Sequence, residues 1–323
     1  SIMEFCNPGF LGTAPDFRRR YARPIERHRD ANAASALRSM VQPFVLRRLK
    51  TDRNVIDDLP ECVETREFAT LTPEQAALYK AVVDSMIGQV DRTEGIQRRG
   101  LILAMLARLK QICDHPALAE SGDEVVVAAG ASDQIQRLSE RSGKSRRLIT
   151  LLDEVLATGE RALVFTQYRR MGKLLSAMVE HDLGCRSLFL HGGTPMKRRQ
   201  TMIDEFQSPE GDAPVFVLSL KAGGLGLNLT AANHVFHFDR WWNPAVERQA
   251  TDRAFRIGQT RTVHVHKFVC MGTLEERIDR MIEEKTQLAE QIIGSGDSWL
   301  TDMTTGQLHD LLLLRGTAME VEA

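Results

Sequence analysis

The sequence predicts an α/β fold: a parallel sheet with helices on both faces, plus a helical N-terminal insertion and C-terminal helices. The prediction rests first on a change of pattern at Arg161. From there ALVFTQY (162–168), SLFLHG (187–192), APVFVLSL (213–220), HVFHFD (234–239) and VHVHKFV (263–269) form short apolar runs separated by helical or turn-forming stretches. Continuous apolar strands of this kind belong to sheets buried on both faces. Length agrees: 323 residues and 36.3 kDa suffice for one large core with a helical appendage.

Taken in order, residues 1–57 are rich in Arg and punctuated by Pro8, Pro15, Pro24 and Pro43, which fits short helices and turns. CVETREFATL (62–71) alternates as a strand does. Thr72-Pro73-Glu74-Gln75 then opens a helix, with Thr72 as N-cap, Pro73 at the first position and Gln75 completing a capping box. GLILAMLARLKQIC (100–113) is apolar on more than one face and reads as a buried helix, stopped at Asp114-His115-Pro116. Residues 122–132, small and glycine-bearing, read as a mobile loop. Ser142-Gly143-Lys144-Ser145 invites comparison with a phosphate loop, but that motif needs glycine where Leu138 stands. A capped start to the helix KSRRLITLLDEVLATG is expected instead. Further helices are expected from the end of ALVFTQY to about His181, over MKRRQTMIDEFQ (196–207), and over LEERIDRMIEEKTQLAEQII (274–293). The last carries a narrow seam of Leu274, Ile278, Met281, Leu288 and Ile292, interrupted by Lys285. SWLTDMTTGQLHDLLLLR (298–315) closes the chain as a short helix.

Composition narrows the function classes. Hydrophobic residues make up 43% and charged residues 26%, as in ordinary globular proteins. No run of about 18 apolar residues exists to span a membrane. The first residues lack the basic and apolar regions of a signal peptide, so a cytoplasmic setting is expected. The cysteines, Cys6, Cys62, Cys113, Cys185 and Cys270, are scattered and read as buried thiols of a reducing compartment. A net charge of −1 announces no nucleic acid, yet basic residues cluster at 18–20, 47–48, 144–147 and 197–199. Local patches bind phosphates on a neutral protein.

Three stretches carry chemistry. In WWNPAVERQATDRAFRIGQTRT (241–262), a helix expected from Pro244 to the Ile257-Gly258 stop would put Gln249, Arg253 and Arg256 on one face. One amide and two guanidinium forks suit a phosphate better than a core. SLKAGGLGLNLTAA (219–232) leaves a strand directly, and its Gly223, Gly224 and Gly226 allow close approach of backbone to a ligand. FTQY (165–168) and LHGGTPMKRRQTMIDEF (190–206) also leave strand ends, the edge where such sheets bind ligands. His234 with His237, and His264 with His266, could be taken for metal pairs. No cysteine or carboxylate set completes a ligand count, so no metal is expected there.

QATDRAFRIGQ (249–259), with these three stretches, resembles the sixth, fifth and fourth helicase motifs of the Swi2/Snf2 family. That family comprises the double-stranded-DNA translocases and nucleoprotein remodellers of helicase superfamily 2. The resemblance covers nearly the whole chain and is strong from Arg161 to about Glu284. It implies the second of two RecA-like lobes, with residues 1–60 as a helical segment and inter-lobe connector, the connector being PFVLRRLKTDRNVIDDLPE (43–61), which runs one residue beyond. It implies a first strand and helical insertion over 61–160, a RecA-like core over 161–272 and C-terminal brace helices over 273–323. By the same resemblance Arg253 and Arg256 are arginine fingers supported by Gln249, and Gly224, Gly226 and Asn228 face the nucleotide. Thr166, Gln167, Arg169, His191, Lys197, Arg198, Ser219, Lys221 and Trp242 face the DNA backbone, while Trp241 is left to packing. ATP and Mg²⁺ are the implied cofactors, Mg²⁺ being held by the first lobe. Double-stranded DNA, that first lobe and a nucleoprotein complex are the implied partners.

The chain departs from the family pattern at Ser145, where leucine is usual, and at Phe255, where histidine is usual. It holds no GxxxxGK[ST], and the DExx string at 123–126 falls in the expected loop. An inactive isolated chain is therefore expected. A DNA-binding module without catalytic duty and a lobe of an RNA-directed superfamily 2 motor stay open as alternatives.

Overall fold

The computed structural model describes residues 2–28, 30–44, 59–120, 138–220, 226–241, 243–289 and 304–319. The loop expected at 122–132 and most of the connector expected at 43–61 lie outside the described residues. The chain divides into two compact units, one of residues 1–57 with 285–296 and one of residues 58–284 with 297–323.

The first unit is helical, as its proline spacing predicts. Helices α1 (Ile2–Cys6), α2 (Ala14–Phe17), α3 (Arg23–His28) and α4 (Ala31–Val41) are short, and a π-helical turn, Arg18–Ala22, joins α2 to α3. Thr13 caps α2 by accepting from the Asp16 N–H, and Asp30 caps α4 by accepting from Asn32 and Ala33. The three consecutive arginines, Arg18 to Arg20, are exposed.

The second unit is a six-stranded parallel sheet. In chain order its elements are β1 (Cys62–Ala69), α5 (Pro73–Asp91), α6 (Gly95–Asp114), α7 (Gly143–Ala157), β2 (Ala162–Thr166), α8 (Arg169–Asp182), β3 (Ser187–Leu190), α9 (Met196–Gln207), β4 (Val215–Ser219), β5 (His234–His237), α10 (Pro244–Thr251), β6 (Val263–Cys270), α11 (Leu274–Ala289) and α12 (Thr305–Leu312). The sheet order is β1-β6-β5-β2-β4-β3, every neighbouring pair parallel. All five residues of β2 and of β4 are buried, which explains why their sequences do not alternate. Leu163 and Phe165 of β2 face one core with Met202 and Phe206 of α9 and Ala250 of α10. Ala162 and Val164 face another with α7 and α8. A third core joins α5, α6, α11 and α12.

Local chemistry explains several element starts. The capping box at Thr72 and Gln75 forms as expected, and the Gln75 amide further donates to the Ile112 and Cys113 carbonyls, tying α5 to the end of α6. Ser142 caps α7 by accepting from the Ser145 N–H, 3.2 Å. Its hydroxyl donates to the Asp114 carbonyl. Gly143 admits no side chain, since a Cβ there would lie 1.9 Å from the Thr70 oxygen. Lys144 is fully buried between Asp114 Oδ1, 2.9 Å, and Glu275 Oε1, 2.8 Å. The Ser-Gly-Lys-Ser segment is thus a buried joint between α6, α7 and α11. Cys113 and Cys270, far apart in sequence, meet beside it within 4.8 Å of Glu275. Both oxygens of Glu275 are already engaged, by Lys144 and by the Cys270 N–H.

Removing Lys144 leaves two buried carboxylates without their cation. Lys144→Met is expected to lower the unfolding free energy by about 3–5 kcal/mol, measured by denaturant titration. A loss below about 1 kcal/mol would show that the triad is not needed.

Candidate functional site

The chain leaves β2 for α8 on one face of the sheet and leaves β5 for α10 on the other. The two strands are neighbours, so their outgoing segments diverge at the carboxyl edge, the place where parallel sheets of this kind bind ligands. A buried carboxylate lies under that edge. Asp239, just beyond β5, accepts the Thr166 hydroxyl at 2.6 Å and the Gln167 N–H at 3.0 and 2.9 Å through its two oxygens. Burial raises its pKa, against the opposing pull of Lys110, Thr166 and Gln167. The Gln167 side-chain amide then donates to the Arg240 carbonyl, 2.8 Å, which also accepts from Lys110 of α6.

This arrangement corrects the sequence reading of Thr166. Its side chain is fully buried and its hydroxyl donates to Asp239, so it shapes the edge from beneath instead of facing outward. Ser219, at the end of β4, is likewise buried. Gln167 is half-buried at the rim. Arg169, Lys197 and Arg198 are exposed, and His191 is half-buried just beyond β3. His191 lies in a positive surrounding. Burial, then Arg169, Lys173 and Arg198, push its pKa below the usual histidine value. Its Nδ1 accepts the Gly193 N–H, 3.1 Å, and its own N–H donates to the Thr194 hydroxyl, 3.1 Å. Lys173 joins this cluster one helical turn beyond Arg169, a spacing that could have singled it out. Lys221, Gly223, Gly224 and Trp242 lie outside the described residues. Trp241 is half-buried against the α9–α10 core.

The expected long helix through the arginines is a second correction. Helix α10 stops at Thr251, and Asp252 to Gly258 continue as turns. The chain turns because Arg253, Ala254 and Phe255 bond back to the Ala250 and Thr251 carbonyls, and Gly258 adopts a φ of 98°. Gln249, Arg253 and Arg256 therefore do not share one helical face. Gln249 is exposed on α10. Arg253 is 6% exposed, its guanidinium 5.8 Å from the Phe165 ring, and burial lowers its pKa to about 10. Arg256 is exposed, and its Nη1 donates to the Gly226 carbonyl at 3.1 Å. Gly226 has a φ of 43° and open space where a side chain would stand, and Asn228 beside it is exposed. The exposed donors here are guanidinium and amide groups, while Asp239 is fully engaged inside. The edge fits an anion such as a polyphosphate.

Two residues have structural roles that the sequence reading did not assign. Gln259 is buried with its amide nitrogen among the Thr230, Ala232 and Ala254 carbonyls, at 3.1, 2.8 and 3.2 Å. It holds the turns after α10 against the segment that follows Gly226. Asp239 is the other, hidden because an acidic residue after a strand reads as surface. The histidines also regroup. His234 Nδ1 meets His266 Nε2 at 3.3 Å, and Glu160 and Glu67 take the outer nitrogens at 2.7 and 3.0 Å. His237 sits apart, bonded to the Thr251 hydroxyl at 2.9 Å.

Comparison with known proteins follows this geometry. A model of the SNF2-related domain matches residues 1–118, and one of the helicase conserved C-terminal domain matches residues 143–258. A solved Sulfolobus solfataricus SWI2/SNF2 ATPase C-terminal domain is 41% identical, with a TM-score of 0.64 over 79% of this chain and 100% of that one. The chain belongs to the SWI2/SNF2 ATPase family. The Sulfolobus solfataricus SWI2/SNF2 ATPase core in complex with dsDNA is 42% identical, with a TM-score of 0.67 over 97% of this chain and 63% of that one. The putative ATP-dependent helicase/translocase YwqA of Bacillus subtilis is 46% identical over 98% of this chain, which spans 33% of that relative. The Zorya protein ZorD of Escherichia coli is 35% identical over 91% of this chain and 27% of its own length. The chain thus spans a third or less of the curated relatives named here. Its sheet has the RecA-like form of the family, with helical insertions. No described helix is long and apolar enough to cross a membrane.

Burial fixes the charge state of His237 and sets a pH test. Its pKa is pushed down to about 4 by burial, below the value of about 6.5 expected when unfolded. Between these values the unfolded chain binds the extra proton, so stability present above about pH 6.5 is lost as pH falls toward 4. His237 is expected to account for up to ~3 kcal/mol of that loss. Denaturant unfolding at pH 7 and 5 should show a shallower pH dependence in His237→Gln; an unchanged slope would contradict the assignment.

Proposed function

We propose that this chain is the second lobe of an ATP-dependent double-stranded-DNA translocase acting on nucleoprotein, and that it supplies an arginine finger and half of the DNA track. The observation that carries the reading is the separation of two guanidinium groups at one sheet edge, with Arg256 exposed beside Gly226 and Arg253 buried beneath it. An arginine finger must reach a phosphate held by another body, and Arg256 has the exposure to do so. Arg253 supports the same turn from below and adds positive charge to a water-poor site, where such charge acts strongly. Gly226 and Asn228 face the nucleotide beside Arg256, and Gly224 serves the same nucleotide. Gln249 supports the phosphate from α10.

Arg169, His191, Lys197 and Arg198 form the positive track, with Gln167 at its inner rim, and Lys221 and Trp242 contact the same DNA. Backbone phosphate contacts carry no sequence information, which suits movement along DNA. Thr166 and Ser219 serve the track from beneath. When ATP bridges the two lobes, Arg256 closes on the phosphate; after hydrolysis the contact is lost and the track shifts along the duplex. Mg²⁺ belongs to the carboxylates of the first lobe.

Joined to a matching first lobe, the chain is expected to release phosphate from ATP faster when duplex DNA is added. Arg256→Ala should lower that rate by roughly 10³–10⁵-fold. The chain alone should show no DNA-stimulated release. Turnover indifferent to Arg256 would remove the finger from the mechanism.

A further inference from the structure

Arg240 is a charged residue with almost no water around it. It is 6% exposed, and each of its polar ends joins two different elements. Its carbonyl accepts from Lys110 of α6 and from the Gln167 side chain that follows β2. Its guanidinium divides between two helices, Nε donating to Glu247 Oε1 of α10 at 2.9 Å and Nη1 to Asp279 Oδ1 of α11. Each carboxylate has a further duty. Glu247 Oε1 also accepts the Trp241 N–H at 2.8 Å, and Asp279 Oδ2 takes Arg66 Nε of β1 at 2.9 Å. The side chain therefore ties α10 and the Trp241 loop to α11, while the carbonyl of the same residue ties them to α6 and the end of β2.

The residue type is specific to this task. A planar guanidinium presents donors in two fixed directions, which lets it meet carboxylates on separate helices at once. A lysine keeps the charge and can bridge two carboxylates, as Lys144 does, but only through one nitrogen, so it cannot keep the separate Nε and Nη1 positions that Arg240 uses. Replacing such a network by apolar residues is often neutral for stability, so its presence points to fixed geometry more than to stability. What the geometry fixes is clear from the chain. Gln249 lies on α10 two residues beyond Glu247, and the turns that present Arg256 hang directly from the end of α10.

We propose that Arg240 is a positioning residue that sets the placement of α10 and of the Trp241 loop, and through them aims Gln249 and Arg256 at the phosphate. The proposal rests on the two-lobe motor reading for its consequence in turnover, and on the contacts above for its structural part. Misplacing a phosphate-facing group by about an ångström costs up to roughly 10²-fold in rate.

Two measurements test it, both with Arg240→Lys and with the gentler Glu247→Gln, which keeps the shape of the α10 partner. The first is amide hydrogen exchange on the full 323-residue chain. Faster exchange confined to residues 241–256, with the strands unchanged, is expected for both variants. Exchange equal to wild type, or faster throughout the sheet, would overturn the positioning role in favour of no role or a general structural one. The second is DNA-stimulated phosphate release in the two-lobe protein. A fall in kcat of at least about tenfold with KM for ATP within about threefold is expected for Arg240→Lys. Release within about twofold of wild type would overturn the proposal. A wild-type two-lobe protein without DNA-stimulated release would sink the motor reading, and the exchange pattern would still decide whether Arg240 positions α10.

Discussion

A buried carboxylate, Asp239, binds the ends of the two central strands to each other, and the carboxyl edge of this sheet depends on it. Its oxygens take the Thr166 hydroxyl and the Gln167 N–H, so β2 and the chain leaving β5 end at a fixed separation. Strand ends are where a parallel sheet exposes unpaired backbone groups, and burying them without partners is costly. The carboxylate satisfies the Gln167 N–H and the Thr166 hydroxyl and leaves the rim for outward-facing side chains. Lys110 offsets its charge from the insertion side, which makes α6 part of the edge and not an appendage to it.

The same edge divides its arginines by burial. Arg253, over the Phe165 ring, is desolvated and belongs to the core beneath; Arg256, three residues on, is exposed and touches the Gly226 carbonyl. The early end of α10 makes that division possible. A continued helix would have kept both groups on one face, whereas the turns from Asp252 to Gly258 send one inward and one outward. Gln259 secures those turns by filling the gap among three carbonyls. Arg240 anchors α10 from the other end through Glu247.

Much of this architecture was legible in the sequence, for identifiable reasons. Strands β2 and β4 lie within the apolar runs at 162–168 and 213–220 because both their faces are covered, and the Thr72–Gln75 cap forms as its residue types require. The reading of Lys144 as part of a helix start held because the missing glycine at Leu138 ruled out a phosphate loop. What could not be read depends on contacts distant in sequence. Thr166 and Asp239 stand 73 positions apart, as do Gln167 and the Arg240 carbonyl, so no local pattern marks Thr166 as an inward-facing residue. The end of α10 was missed because helical spacing of Gln249, Arg253 and Arg256 persists in the sequence after the helix itself has stopped. The histidine grouping was missed likewise, since His234 and His266 belong to different strands and meet only through sheet pairing.

The central claim is that the carboxyl edge of this sheet is the face that meets duplex DNA. The most direct test is amide hydrogen exchange of the chain with and without a short DNA duplex. Protection gathered at residues 167–173 and 191–198, with none at the opposite strand ends around Glu160, His234 and His264, is the result expected. Protection at those opposite ends, or none at either edge under conditions where the DNA is bound, would contradict it.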